Sequence, residues 1–154
     1  MSMMEKGVEN IRDSVSYWTA TLGRIENFEA AVRQIGIKES KRLVLDCKTR
    51  WNSTYLMLTT ALLYKDVFVR LSKLDKQYKC LPNELEWDFA RVLCDHLDLF
   101  CMLTEMVSGS RYPTCNLFFP KICEIRLSMN SWKASPNKGI RQMAANMIAK
   151  YEKY

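Results

Sequence analysis

Apolar residues recur along most of the chain at the spacing of an amphipathic helix. In the first segment they step alternately by four and three positions, which places them on one helix face. The residues on this face are Met4, Val8, Ile11, Val15 and Trp18. A second series with similar spacing consists of Leu22, Ile25, Phe28, Val32 and Ile35. It ends at Gly36, a residue type that commonly closes helices, so the pattern predicts two helices.

The middle of the chain predicts two longer helices. The third helix begins near residues 49–52 and runs to about Leu74, with apolar residues on nearly all of its faces. Such a helix is typically buried in the centre of a bundle. The fourth helix begins after Asn83, a favourable N-cap. Acidic residues fill its first turn, where the helix dipole favours anions.

The last third of the chain predicts two further helices. One spans about 116–132, and the other runs from a loop at 135–139 to the end. Residues 42–46 form a short run that fits either a β-strand or an extended connector, and five residues cannot decide between them. The sequence therefore predicts an all-α fold, an irregular bundle of about six helices forming a single domain over 1–154.

Composition narrows the class of protein. Hydrophobic residues make up 48% and charged residues 26% of the 154 residues, an ordinary globular mixture. The six cysteines include no C-x-x-C pair, and the N-terminus lacks the apolar segment of a signal peptide. We therefore expect reduced thiols in the cytosol or nucleus. No run reaches the ~18 apolar residues of a membrane span, so no membrane partner is expected.

Residues suited to catalysis are scarce. The single histidine, His96, argues against His-based triads and His-rich metal sites, and we interpret it as structural or exposed. No Gly-rich phosphate loop or nucleophile motif is present. Asp46 follows a short apolar run, where a metal-binding acid could lie, but no second carboxylate accompanies it. We therefore expect no enzyme activity, no metal site and no cofactor.

Charge is distributed unevenly along the chain, whose formal net charge is +6. Residues 121–154 carry a net charge of +5, residues 38–50 carry +3, and residues 83–105 carry −5. Basic segments attract phosphate backbones without sequence preference. Solvated helix faces have the same appearance, so charge alone leaves both interpretations open.

Four segments resemble motifs of one protein family. Residues 49–58, T-R-W-N-S-T-Y-L-M-L, are similar to the central motif of plant hAT-superfamily transposases and their domesticated ricesleeper-like BED-finger relatives. Residues 11–17 resemble the family's I-R-x-S-V-x-Y helix, and residues 28–32 resemble its F-x-x-A/V helix. Residues 108–120, S-G-S-R-Y-P-T-C-N-L-F-F-P, resemble its S-G-S-x-Y-P-T-x-N-L-Y-F-P segment. The resemblance covers essentially the whole chain.

The resemblance implies a helical region that is inserted in, or adjoins, an RNase-H-like catalytic core. In the family a BED zinc finger precedes that core, a DDE triad of acids carries catalysis, and a dimerisation region closes the chain. We expect the finger and the first two acids before residue 1, and the last acid and the dimerisation region after residue 154. Asp46 matches none of the triad acids. The resemblance therefore implies a non-catalytic region, either a fragment or a short gene product.

The resemblance also gives Arg50 and Trp51 a role in handling transposon ends. It implies that the Trp51 ring stacks on an extrahelical base, and an indole face can stack on any base. Arg50 beside it could bind a phosphate through two hydrogen bonds. The alternative is that Trp51 anchors the core and Arg50 pairs with a carboxylate such as Asp46. Tyr112, in the loop before the fifth helix, is open to the same two interpretations.

Together these observations predict a DNA-associated helical domain derived from a hAT-type transposase. We expect it in the nucleus, while the isolated segment could also remain in the cytosol. The predicted DNA contacts are Arg50, Trp51, Lys48, Lys41 and Arg42, with Lys138 and Arg141 as a second group. The alternative is a domesticated remnant that acts as a protein–protein interaction module. Its candidate surface is the acidic fourth helix, and self-association is included in this alternative.

Overall fold

The computed structural model describes residues 3–38, 41–109 and 115–152. These residues form α-helices and connecting loops, and they contain no strand. The helices are α1 (Met3–Thr19), α2 (Leu22–Ile35), α3 (Trp51–Leu63), α4 (Lys65–Leu74), α5 (Glu84–Gly109), α6 (Cys115–Trp132) and α7 (Lys138–Tyr151). The predicted all-α fold is confirmed. Within the described part, residues 42–46 are an extended connector rather than a strand.

The described part contains seven helices, one more than the predicted number, because the predicted third helix is two helices. The backbone leaves helical geometry at Tyr64 (φ −102°, ψ 18°), which ends α3 and precedes α4. The Tyr64 ring is buried, and its hydroxyl donates a hydrogen bond to the Lys41 carbonyl at 2.7 Å. The break therefore places the ring in the core while its hydroxyl holds the connector between α2 and α3.

Local capping explains where two of the helices begin or end. Gly36 closes α2 in the left-handed region (φ 81°), where glycine is favoured, and its N–H donates to the Val32 and Arg33 carbonyls. Asn83 and Glu86 form a capping box before α5. The Glu86 N–H donates to Asn83 Oδ1, and the Asn83 N–H donates to Glu86 Oε2, both at 2.9 Å. The predicted N-cap at Asn83 is confirmed.

The chain divides into two compact units, Met1–Cys94 and Asp95–Tyr154, and α5 runs through the boundary. The single domain over 1–154 stays a prediction. In the first unit, α1 packs on α2 and α3, and α2 packs on α4. Its core is rich in aromatic rings that meet at centroid distances of 5.2–6.4 Å within the cluster Tyr17, Trp18, Phe28, Tyr64, Phe68, Tyr78 and Trp87. Offset and edge-on contacts of this kind stabilise the core beyond the contribution of the apolar area that they bury.

A polar side chain, that of Ser14, lies inside this core with its hydroxyl hydrogen-bonded. Ser14, on α1, is completely buried. The Ser14 hydroxyl accepts a hydrogen bond from the Tyr78 hydroxyl at 2.8 Å. It can donate its own hydrogen bond to the Cys80 carbonyl at 2.7 Å or to the Asn10 carbonyl at 2.9 Å. Burial raises the pKa of Tyr78, so the phenol stays protonated and remains a donor. These bonds attach the loop after α4 to α1.

The second unit is built on the packing of α6 against α7. Its buried residues share an apolar character and include Ile125, Met129, Trp132, Ile140 and Ala144. The ring of His96 meets the Trp132 ring edge-on at 4.7 Å, which fits the interpretation of this histidine as structural. Free thiols are found at Cys47, Cys80, Cys94, Cys101 and Cys123. Among the helices described, none is long and apolar enough to cross a membrane.

We expect Ser14→Ala to lower the free energy of unfolding by about 1–3 kcal/mol, because it leaves the buried Tyr78 hydroxyl without its acceptor. Ser16→Ala is the matched control, since Ser16 is exposed on the same helix and should change stability by less than about 0.5 kcal/mol. Urea unfolding followed by circular dichroism measures both. Equal effects of the two substitutions would show that the buried hydrogen bonds contribute nothing.

Candidate nucleic-acid interface

The T-R-W-N-S-T motif, residues 49–54, spans the end of the loop before α3 and the first turn of that helix. Its own polar groups hold this loop closed. The Arg50 N–H donates to the Cys47 carbonyl at 2.8 Å, which makes a tight turn. Arg50 is the N-cap of α3 with extended backbone (φ −121°, ψ 98°). From the first turn of the helix, the Ser53 hydroxyl accepts a hydrogen bond from the Cys47 N–H at 2.7 Å. The motif is therefore first of all a structural element.

Asp46 anchors this loop to α1. Arg12 donates to both carboxylate oxygens, from Nε to Oδ1 at 2.6 Å and from Nη2 to Oδ2 at 2.7 Å. The Thr54 hydroxyl donates to Oδ2 as well, at 2.6 Å. The Asp46 side chain is completely buried, and that of Arg12 is only 13% exposed. The paired guanidinium holds the pKa of Asp46 below its ordinary value, so the carboxylate stays charged and fully bonded.

Glu9 extends the anchor into a network of four charged groups. Its carboxylate binds Arg12 Nη1 at 2.9 Å and Lys48 Nζ at 3.1 Å. The hydrogen bond from Lys48 lowers the pKa of Glu9 most, and the hydrogen bond from Arg12 lowers it further. Lys48, one of the predicted phosphate contacts, is therefore partly neutralised by a neighbour on α1.

Arg50 and Trp51 lie at the surface of the anchored loop. The Trp51 side chain opens α3 and is 41% exposed, so it is not the fully buried core anchor of the alternative interpretation. The pairing of Arg50 with Asp46 is wrong, because the carboxylate binds Arg12. Arg50 is exposed and forms no ion pair with any residue that the structure describes. The fold thus brings a cation and a partly exposed indole together at the start of α3.

The remaining predicted contacts lie in two places. Lys41 and Arg42 are exposed on the connector before the motif, in the same unit as Arg50 and Trp51. Lys138 and Arg141 belong to the first turn of α7, in the second unit. Arg141 Nη1 donates to the Ser135 carbonyl at 2.7 Å and to the Pro136 carbonyl at 3.0 Å. Its guanidinium is therefore partly engaged by the loop before α7.

Sequence reasoning missed the partners that hold the loop. Arg12 falls within the I-R-x-S-V-x-Y segment, and its spacing of three from Glu9 is the one available sign of an ion pair on a helix. Nothing in the sequence links Arg12 to Asp46, which lies 34 positions away. Tyr112 lies outside the described residues, as do all of residues 110–114. Among the residues described, no group of three or more His, Cys, Asp or Glu side chains could hold a metal ion.

We expect Asp46→Asn to lower the free energy of unfolding at neutral pH by about 3 kcal/mol. The substitution removes the carboxylate charge that faces two nitrogens of the largely buried Arg12 guanidinium and leaves Glu9 as the ion-pair partner of that guanidinium. Asp13→Asn is the matched control, an exposed carboxylate on α1 for which no large change is expected. Chemical unfolding of the three proteins measures the difference.

The difference in stability between the native protein and Asp46→Asn should depend on pH. The pKa of Asp46 is lower in the folded chain than in the unfolded one, so its contribution is complete above about pH 4–5 and is lost as pH falls through the folded value. The gap between the native protein and Asp46→Asn should therefore be constant near neutrality and close in acid. A gap that widened in acid would contradict this assignment.

Comparisons with a family model and with known proteins show which proteins this chain resembles. Residues 1–96 match the family model of the ZBED1 RNase-like helical domain. The chain is 40% identical over 131 residues to the "Putative AC transposase" of Zea mays, which covers 84% of this chain and 16% of that protein. It is 31% identical over 147 residues to "Zinc finger BED domain-containing protein RICESLEEPER 2" of Oryza sativa subsp. japonica. That match covers 96% of this chain and 20% of that protein. "Zinc finger BED domain-containing protein DAYSLEEPER" of Arabidopsis thaliana is 29% identical over 129 residues, covering 84% and 18%.

The chain spans about a fifth of the length of these relatives. No solved structure shows significant similarity to it. The match to the family model contains α1 to α4, the connector between α2 and α3 and the T-R-W-N-S-T motif, and so includes the network around Asp46. The chain belongs to the family of the ZBED1 RNase-like helical domain, and it is homologous to the plant hAT-type AC transposases and to the RICESLEEPER BED-finger proteins.

Proposed function

We propose that this helical domain contributes to DNA binding and transposon-end handling within a longer protein, without catalysis of its own. The observation that carries the proposal is the placement of Arg50 and Trp51, both exposed, on a loop that Asp46 and Arg12 hold in place. A rigid support matters because a site held on a fixed element loses little conformational entropy when it binds.

The two side chains supply complementary interactions. The partly exposed Trp51 indole can stack on an unpaired base, which is worth about 1–3 kcal/mol and offsets part of the cost of flipping that base. The Arg50 guanidinium can donate two hydrogen bonds to one phosphate. The first turn of α3 contains no acidic residue, so the positive end of its dipole remains available to an anion.

Other cations would extend the contact along the phosphate backbone. Lys41 and Arg42 are exposed on the connector and complete the first group. Lys48 should contribute less, because Glu9 already binds its ammonium group. Lys138 and Arg141 form the weaker second group. In this role the protein would act in the nucleus.

Asp46 explains why we assign no metal-dependent chemistry to this segment. Arg12 engages both of its carboxylate oxygens, and Thr54 adds a third hydrogen bond. Because the Asp46 side chain is completely buried, it would have to give up these bonds to reach a divalent ion. Catalysis in the longer protein would then depend on acids outside this chain, which agrees with the triad of the family.

We expect Trp51→Ala to weaken binding to a duplex with one extrahelical adenine about 5- to 100-fold, because the indole can no longer stack on that base. Replacing the adenine by 2-aminopurine gives the readout, since its fluorescence falls on stacking. Leu74→Ala is the matched control, an exposed apolar residue of α4 outside the site, and should leave binding unchanged.

Arg50→Gln should weaken binding to paired and unpaired DNA alike and lower the slope of log affinity against log salt by about 1. Circular dichroism must show that all of these variants keep their helices. If Trp51→Ala binds the duplex with the extrahelical adenine as tightly as the native chain does, the stacking role fails. If Arg50→Gln leaves the salt dependence unchanged, the phosphate contact fails.

A further inference from the structure

A cleft of about 820 Å³ opens in the first unit between α2 and the connector that follows it. Its walls are largely aliphatic and come from Ile25 and Val32 on α2 and from Leu43 and Val44 on the connector. Val44 is 66% exposed, and Leu22 at the mouth is 71% exposed. The volume lies within the range of pockets that bury most of a small ligand or several side chains.

Four cations surround this apolar cleft. Arg33, Lys38, Lys41 and Arg42 line its edge and are exposed, and Glu29 is the one acidic residue among the described lining residues. Within the described part of the chain, none of the four forms an ion pair, whereas Lys48 nearby is bound by Glu9. An apolar floor with a basic edge is complementary to a ligand that combines aliphatic groups with carboxylates.

The aromatic rings of the cleft favour a peptide over a nucleic acid. Trp18, Phe28 and Tyr64 line it, but their exposed fractions are 2%, 5% and 1%. None of these rings offers a face on which a base could stack, and the accessible apolar surface is aliphatic. Aliphatic side chains at helical spacing are what apolar grooves take from amphipathic helices.

We propose that this cleft binds an acidic amphipathic segment of a protein partner. Its aliphatic side chains enter between α2 and the connector, and its carboxylates face Arg33, Lys38, Lys41 and Arg42. The site differs from the Arg50–Trp51 surface in its chemistry. It also differs from the acidic fourth helix of the sequence-based alternative, because its charge is of the opposite sign.

The test uses the 154-residue chain and a fluorescein-labelled synthetic peptide of 16 residues, with Leu at positions i, i+3, i+4 and i+7 and Glu elsewhere. Fluorescence anisotropy measures its affinity. The chain should bind this peptide at least tenfold more tightly than the same peptide with Gln in place of Glu. It should also prefer it to a peptide of the same composition with shuffled leucines.

Two double variants locate the binding. R33E/K38E should weaken peptide binding at least tenfold, and neither residue is among the predicted DNA contacts. K76E/K79E is the matched control, with the same change of charge on exposed lysines of the loop after α4, and should bind as the native chain does. Methyl resonances of Ile25, Val32 and Val44 should shift when the peptide is added.

Several results would overturn the proposal. Equal binding of the Glu and Gln peptides, or equal losses in the two double variants, would show that the basic edge does not recognise the ligand. A single-stranded oligonucleotide that displaces the peptide and shifts the same methyl resonances would assign the cleft to nucleic acid. A native chain that is a dimer in sedimentation, and that R33E/K38E makes monomeric, would assign it to a second copy. Trp51→Ala should leave peptide binding intact, which separates this test from the DNA proposal.

Discussion

The bidentate ion pair between Arg12 and Asp46 determines where the connector crosses α1 and where α3 begins. Burying two charges costs desolvation energy, and only good geometry with further hydrogen bonds compensates for it. Here Glu9 binds the guanidinium and Thr54 binds the carboxylate, so each charge has more than one partner. The two parallel bonds also fix direction, which a single contact between point charges would not do. This ion pair therefore also holds in place the loop that positions Arg50 and Trp51.

The fold was largely predictable because its helices follow apolar periodicity and its caps are local. The six-helix estimate missed the break at Tyr64, since the apolar pattern continues through it from α3 into α4. What separates the two helices is a tertiary contact, the Tyr64 hydroxyl bonded to the Lys41 carbonyl 23 positions away. Residues 42–46 were ambiguous for a similar reason. An extended segment pairs as a strand only if another strand lies beside it, and sequence pattern alone does not supply that neighbour.

The candidate site divides into a part that the sequence identified and a part that it could not. Arg50 and Trp51 were found through a motif, and the structure shows them exposed. How strongly the neighbouring cations can bind phosphate depends on partners from distant parts of the sequence. Lys48 meets Glu9 from 39 positions away, so a count of basic residues overstates the charge that it offers to phosphate. Arg141, bonded to two loop carbonyls, is a similar case within the second unit.

The connector also links the two proposed surfaces, because Lys41 and Arg42 belong to both. Carboxylates and phosphates bind the same donors of lysine and arginine, so an acidic segment in the cleft and a DNA backbone would compete for these two side chains. Trp51 stands apart from that competition, since stacking on a base needs no charge. Raised salt weakens both charged contacts and leaves stacking largely intact. A partner in the cleft would therefore reduce backbone binding more than base stacking, and the chain would then favour unpaired DNA over intact duplex.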